Sequence, residues 1–381
     1  MAVVLAVLVA GCRGGPILAN QPASLRPEPS VAPSPSATVD PVPIVLPRDD
    51  GAHERLTEWW YYTGHLVDPA SGSRYGFEYV IFRAERGGFP VTWASHLAIT
   101  DETGVAFHYA QRAVVGPGVN RLPAGSPAFS FSLGPDPTDP RTAGRPAWTM
   151  DGASGQDHLV AATSPGEAAS AGSPGGLGLD LSLVASKPAV LHGGNGWIDF
   201  GPAGGSYYYS RTDLAAHGSI ELGGRTLQVE GTAWFDHQWG DFIAVGGGGW
   251  DWFAVNLADG TDLTLSLVRA ADGSYPLIYG TLVDRSGSTT HLDRSAFQVA
   301  VTAHWTSPAT GASYPAGWTI TIPGQDLTIR LRPTVANQEL DTRATTGVVY
   351  WEGSQVVNAT RNGQAEGGQG YVELTGYGPG L

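Results

Sequence analysis

Glu58-Trp59-Trp60-Tyr61-Tyr62-Thr63-Gly64-His65-Leu66-Val67 sets four aromatic rings at consecutive positions and runs on into β-branched and aliphatic residues. Neighbouring rings with no helical spacing favour a pleated backbone, so residues 58–67 read as a strand. Similar short runs continue to the C-terminus, broken every eight to fifteen residues by Gly, Asp, Asn or Pro. That is the rhythm of an all-β protein. Strands are expected at 58–67, 75–83, 92–100, 105–112, 177–185, 206–210, 218–222 and 227–235. A second series of similar size runs from 251–257 to 371–376. About eight antiparallel strands close into a barrel that holds packed side chains or one small ligand. The chain therefore predicts two consecutive antiparallel β-barrels, at 49–243 and 244–381, with Gly246 to Gly249 in the connection. Between 113 and 176 only 129–133, 148–150 and 158–162 read as strand, and 164–176 reads as a solvated loop.

Composition excludes several classes of function. The 381 residues are 42% hydrophobic and 15% charged, enough apolar material for two cores and too little charge for a disordered chain. A net charge of −14 without a basic cluster gives nucleic acid no electrostatic purchase, so no nucleic-acid partner is expected. Cys12 is the only cysteine, which removes disulfide frameworks and Cys-based metal sites. There is no G-x-S-x-G, H-E-x-x-H, G-x-G-x-x-G or G-x-x-x-x-G-K-[ST], and Lys187 is the only lysine. Metal binding by His237 with Asp236 or Asp241 is conceivable, but neither a metal nor a cofactor is expected.

The N-terminus reads as an address. Met1 to Gly11 is apolar, far short of the roughly 20 residues of a membrane span, and ends in Val9-Ala10-Gly11-Cys12. That ending resembles a bacterial lipobox, in which the Cys is lipidated. Residues 1–12 are thus expected to be a lipoprotein signal, leaving an extracytoplasmic protein held on a membrane by its lipid anchor, or otherwise a secreted one. Residues 13–48 are expected to be a disordered linker, since nine prolines fall between 16 and 47.

The unusual chemistry is concentrated where rings and ionisable groups meet: Glu58 with Trp60 and Tyr62, Tyr208 in Ser206-Tyr207-Tyr208-Tyr209, Trp234-Phe235-Asp236-His237-Gln238-Trp239, and Trp250-Asp251-Trp252. An extended 234–239 would put Phe235, His237 and Trp239 on one face and Trp234, Asp236 and Gln238 on the other. A carboxyl held among rings has its charged form disfavoured and can remain a proton donor near neutrality, which makes Asp236, Glu58 and Asp251 candidates. Such rings equally serve to fill a barrel, with the carboxylate as a satisfied partner. His96 carries the same ambiguity.

Six motifs, in this order along the chain, resemble the AttH and carotenoid 1,2-hydratase family of tandem lipocalin-like domains. They are Glu58 to Leu66, Ser95-His96-Leu97-Ala98-Ile99-Thr100-Asp101, Lys187 to Gly193 with Ser206 to Ser210, Trp234 to Gly240, Tyr350-Trp351-Glu352-Gly353, and Gly370 to Tyr377. The likeness spans about residues 55 to 378. It implies a lipocalin-like fold for both barrels and a hydrophobic, isoprenoid or polyene-type substrate to which water is added. Gln238 stands where many relatives have Glu, so the resemblance supports Asp236 and His237 more than their neighbour.

Two functions follow as expectations. In one, Asp236 or Asp251 protonates a double bond, His237 orients the acid or the water, and Glu58, Trp60, Tyr62, His96, Tyr208, Trp234, Trp239 and Trp252 line the substrate. In the other, the same cavity carries a lipid or other hydrophobe unchanged. The seam between the barrels is the expected place, because the 236–241 and 250–253 groups flank it.

Overall fold

The computed structural model describes residues 40–123, 125–135, 140–242 and 247–378. Cys12, with the apolar address before it, lies outside the described residues. Strands dominate the described chain. Twelve strands form the first sheet: β1 (Thr57–Val67), β2 (Arg74–Ala84), β3 (Thr92–Asp101), β4 (Ala106–Val115), β5 (Phe129–Leu133), β6 (Trp148–Ala153), β7 (Gln156–Ala162), β8 (Leu177–Ala185), β9 (Val190–Leu191), β10 (Trp197–Asp199), β11 (Gly205–Leu222) and β12 (Arg225–Gly240). Its order is β4-β3-β2-β1-β12-β11-β8-β7-β6-β5, with β9 and β10 on β11.

Ten more form the second: β13 (Gly247–Leu257), β14 (Asp262–Ala270), β15 (Leu277–Val283), β16 (Thr289–Asp293), β17 (Gln298–Thr306), β18 (Ser313–Ile322), β19 (Leu327–Pro333), β20 (Glu339–Asp341), β21 (Val349–Arg361) and β22 (Gln364–Leu374). Their order is β16-β15-β14-β13-β22-β21-β19-β18-β17, with β20 on β21. Each sheet curls around its own core, in the tandem lipocalin-like arrangement.

Period-two geometry assigns every ring of β1 to a side. Trp60, Tyr62 and Leu66 enter the first barrel, while Trp59 and Tyr61 face the second. Both faces are covered, so four rings run consecutively at 59–62 instead of alternating with polar residues. Strand β12 behaves alike: Phe235 and Trp239 join the first core and Trp234 joins the seam. The second barrel repeats the logic with Phe253 and Val255 inside and Trp252 and Ala254 in the seam. Close approach is needed where β2 meets β21 and β22. A Cβ on Gly76 would stand 2.5 Å from the Tyr371 hydroxyl and 2.8 Å from Ser354 Cβ, so only glycine fits.

Three features depart from the sequence reading. The expected strands at 206–210 and 218–222 are one long strand, β11, irregular only between Arg211 and Leu214. A short helix, α1 (Pro165–Ser170), stands within the expected loop, where Glu167 Oε2 accepts from the Ser164 backbone at 2.8 Å and from its hydroxyl at 2.9 Å. Residues 40–48, expected in the linker, lie on the first barrel. Val42, Ile44 and Leu46 pack against its core, and Tyr207 Oη donates to Asp40 Oδ1 at 2.6 Å while accepting from the Val42 amide at 2.8 Å.

Candidate active site

Asp236 lies at the centre of the seam. Strand β12 pairs with β1 and β11, setting Asp236 opposite Tyr61 on one side and Ser210 on the other. Tyr208 donates to Asp236 Oδ2 at 2.6 Å, Trp234 Nε1 donates to Oδ1 at 2.7 Å, and the Ser210 hydroxyl also donates to Oδ1. From the second barrel, Trp252 Nε1 donates to the Tyr208 hydroxyl at 3.0 Å. None of these partners is a cation. Burial pushes the carboxyl up to about 6, and the hydrogen bonds from Ser210, Tyr208 and Trp234 restrain the rise.

The histidine that reaches this carboxyl is His192. Its Nε2 lies 2.6 Å from Ser210 Oγ and its Nδ1 lies 3.0 Å from Thr281 Oγ1 of the second barrel. Burial holds its pKa down at about 3, so the ring is neutral and serves to fix Ser210.

Three more acids share the seam. Tyr350 donates to Glu78 Oε1, Tyr61 donates to Glu352 Oε1, and Trp250 Nε1 donates to Glu373 Oε2, each at 2.8 Å. Burial raises Glu78 to about 8 and Glu373 to about 7. Glu352 is driven well above its ordinary range by burial and by the charges of Glu78 and Glu373. The second carboxyl oxygens of Glu78 and Glu352 find no hydrogen-bond partner among the described residues, which favours the neutral form of both groups. His96 stands beside this chain, with Nδ1 2.7 Å from the Tyr350 hydroxyl, and burial lowers its pKa to about 3. A crevice of about 10 Å³, room for roughly one water, is lined by Thr63, His65, Trp234, Ala254, Asn256 and Tyr371 among others and reaches the seam at Trp234.

The other expected residues lie elsewhere. Trp60, Tyr62, Glu58, His237 and Trp239 face the first barrel, whose interior their own rings fill. His237 Nε2 is 2.9 Å from Glu58 Oε1, and His53 Nδ1 is 2.7 Å from the same oxygen. Burial opposes charge on all three. The charge of Glu58 nonetheless holds His53 up, the charge of His53 with both imidazole hydrogen bonds holds Glu58 down, and His237 is lowered by burial. His237 thus cannot orient Asp236 or a water bound there, because successive side chains of β12 take opposite faces.

Asp251 is also displaced from the seam. It faces the second barrel, paired with Arg269 Nη1 at 2.9 Å and the Tyr377 hydroxyl at 3.0 Å, while its neighbours Trp250 and Trp252 reach the seam. Its carboxyl is raised by burial against the pull of Arg269. A metal set from His237 and Asp236 is ruled out by the same alternation, whereas His53, Glu58 and His237 do converge. The seam therefore unites Asp236, Tyr208, Trp234, Trp252 and His96, and adds Glu78, His192, Ser210, Glu352 and Glu373. Of the added residues, His192, Ser210, Glu352 and Glu373 already stood in motifs, and Glu78 did not. His53 follows Asp49-Asp50-Gly51-Ala52, outside any strand pattern, and the sequence reading passed over it; its nearness to Glu58 in the chain was the one available signal.

Known proteins share this architecture. A crystal structure of an AttH protein from Nitrosomonas europaea superposes with a TM-score of 0.74 at 30% identity, covering 89% of this chain and 98% of that one. Kievitone hydratase from Nectria haematococca superposes with a TM-score of 0.63 at 16% identity, covering 84% of this chain and 88% of that one, a likeness of fold. The dehydratase asqC of Emericella nidulans is 26% identical over 170 residues, 42% of this chain and 47% of its own length, so the match spans less than half of either protein. Residues 37–377 match the AttH-like family, and the chain belongs to that family.

Proposed function

We propose that the protein is a hydratase-type enzyme that adds water to a carbon–carbon double bond of a hydrophobic, isoprenoid or polyene-type molecule, or removes it in the reverse direction, with Asp236 as the acid. The observation that carries this reading is the placement of Asp236: a buried carboxyl with no cation partner among the described residues, bracketed by Trp234 and Trp252, beside a water-sized crevice that reaches Trp234. A hydratase that shares the fold and a dehydratase that matches part of the chain, one adding water and the other removing it, support the reading.

The chemistry closes on water and one proton. Asp236 gives its proton to one alkene carbon, leaving a cation on the neighbouring carbon. The faces of Trp234 and Trp252 stabilise that cation without trapping it. Water bonds to the cationic carbon and returns a proton to the Asp236 carboxylate. Ser210, fixed by His192, and Tyr208 hold the carboxyl in place throughout.

The protein works outside the cytoplasm in this reading, tethered through Cys12, where a membrane would supply apolar substrates. Purified protein, extracted and incubated with polyene and isoprenoid alkenes in ¹⁸O-labelled water, tests the reaction. A product heavier than its alkene by one labelled water supports it. One unchanged hydrophobe recovered from the protein, with no labelled product, indicates carriage instead.

A further inference from the structure

We infer that His53, Glu58 and His237 form a binding site for one divalent transition-metal ion of the zinc type, inside the first barrel and separate from the seam. Nδ1 of His53, Nε2 of His237 and a Glu58 carboxyl oxygen all lie within 4.8 Å of one another. Two imidazoles and one carboxylate are the donor set of a zinc site with an open position. The sequence reading misses it because the donors come from three separate places: the segment ahead of β1, the start of β1, and β12.

The spacing suits an ion. Ligands at about 2.1 Å from a tetrahedral zinc stand roughly 3.4 Å apart. His53 Nδ1 and His237 Nε2 now stand 2.7 and 2.9 Å from Glu58 Oε1. Glu58 Oε2 is anchored by the His53 backbone amide at 3.0 Å, so a turn of the carboxyl about that anchor opens the needed gap. Access is one-sided. The His53 side chain is 21% exposed and those of Glu58 and His237 are fully buried, so a fourth ligand arrives past His53.

The surroundings are those of a ligand set held in advance. Trp239 stacks on His53 at 4.0 Å with the rings parallel to within 1°, and Trp60 stacks on His237 at 4.6 Å. Each imidazole also turns its remaining nitrogen toward a carboxylate, directly for His53 and through a tyrosine hydroxyl for His237. His53 Nε2 faces Asp49 at 3.6 Å, and His237 Nδ1 faces the Tyr209 hydroxyl at 3.4 Å, which itself donates to Asp50 at 2.5 Å. Such carboxylate-backed imidazoles orient metal ligands and raise their basicity.

The test is metal binding, read apart from turnover. Full-length protein is stripped with a chelator, freed of it, and titrated with Zn²⁺ by calorimetry and with Co²⁺ by visible absorption. One ion per chain is expected, with a raised melting temperature and the visible bands of low-coordinate Co²⁺. His53→Ala, at a partly exposed position, should keep the fold and abolish the stoichiometric site. Asp49→Asn should weaken it by about 10- to 100-fold. Absence of stoichiometric binding, or binding unchanged in His53→Ala, overturns the inference and leaves the trio as a hydrogen-bonded cap on the barrel. Because these groups face away from Asp236, that result leaves the seam chemistry untouched.

Discussion

Asp236 and His237 are consecutive in the chain and face opposite sides of one strand, the first into the inter-barrel seam and the second into the first barrel. Any chemistry that joins them through one substrate is excluded by that geometry. The seam gathers acids from both sheets, Glu78 and Asp236 from the first and Glu352 and Glu373 from the second, so it exists only when the two barrels are docked.

The seam acids should make stability fall as pH rises. Burial raises Glu373 from its ordinary 4.5 to about 7, so its contribution is complete below pH 4.5 and is lost as pH rises through 7. Within that window each pH unit costs about 1.4 kcal/mol for such a group. Glu78, raised to about 8, extends the decline to that pH. Urea denaturation between pH 5 and 8 should show Glu373→Gln declining less than wild type; equal slopes would refute the burial of a neutral acid.

Docking of the barrels depends on Lys187. Its ammonium donates to Asp262 Oδ2 and to the Gly260 carbonyl, each at 2.7 Å, and the two side chains are buried. Lys187→Met leaves Asp262 charged and unpaired, which should cost about 3–5 kcal/mol. Lys187→Met with Asp262→Leu should recover much of that loss in chemical denaturation. An intact-stability single variant would show that the pair contributes nothing.

The strap at 40–48 is part of the folded body. A chain starting at residue 49 loses the contacts of Val42, Ile44 and Leu46 and the Asp40–Arg55 ion pair. At roughly 1 kcal/mol for each half-buried aliphatic side chain, the loss is about 3 kcal/mol relative to a chain starting at 37. Matched melting curves for the two chains would contradict the docking.

How much of this was legible in sequence follows from burial on two faces. The rings of Glu58 to Leu66 and Trp234 to Gly240 announced strands, and the 236–241 and 250–253 groups, flanking the connection between the barrels, announced the seam. The division of labour between those faces was legible too, since period two separates Asp236 from His237. What period two could not supply is the partner across space. Asp251 lies one residue from two seam tryptophans yet faces the other way, and Glu78, Glu352 and Glu373 are single acids in apolar runs whose convergence depends on sheet order. His192 and His53 sit in connecting segments, where no periodicity constrains a side chain.

The proposed lipidation at Cys12 gives a cellular prediction. Wild type should partition with membranes and Cys12→Ala with the soluble fraction, as immunoblots of fractionated cells would show. At about 0.8 kcal/mol per buried methylene, two or more acyl chains make the difference nearly complete. Unchanged partitioning would remove the anchor from the account.

The most direct measurement compares Asp236→Asn with Asp251→Asn in incorporation of ¹⁸O from labelled water into an alkene that wild type hydrates. Asn keeps the shape of Asp and cannot deliver the carboxyl proton. With wild-type circular dichroism retained, Asp236→Asn should lose turnover by about 10²-fold or more, the usual weight of a positioned general acid, while Asp251→Asn keeps most of it. Full turnover in Asp236→Asn, or loss confined to Asp251→Asn, would contradict the seam as the site of protonation.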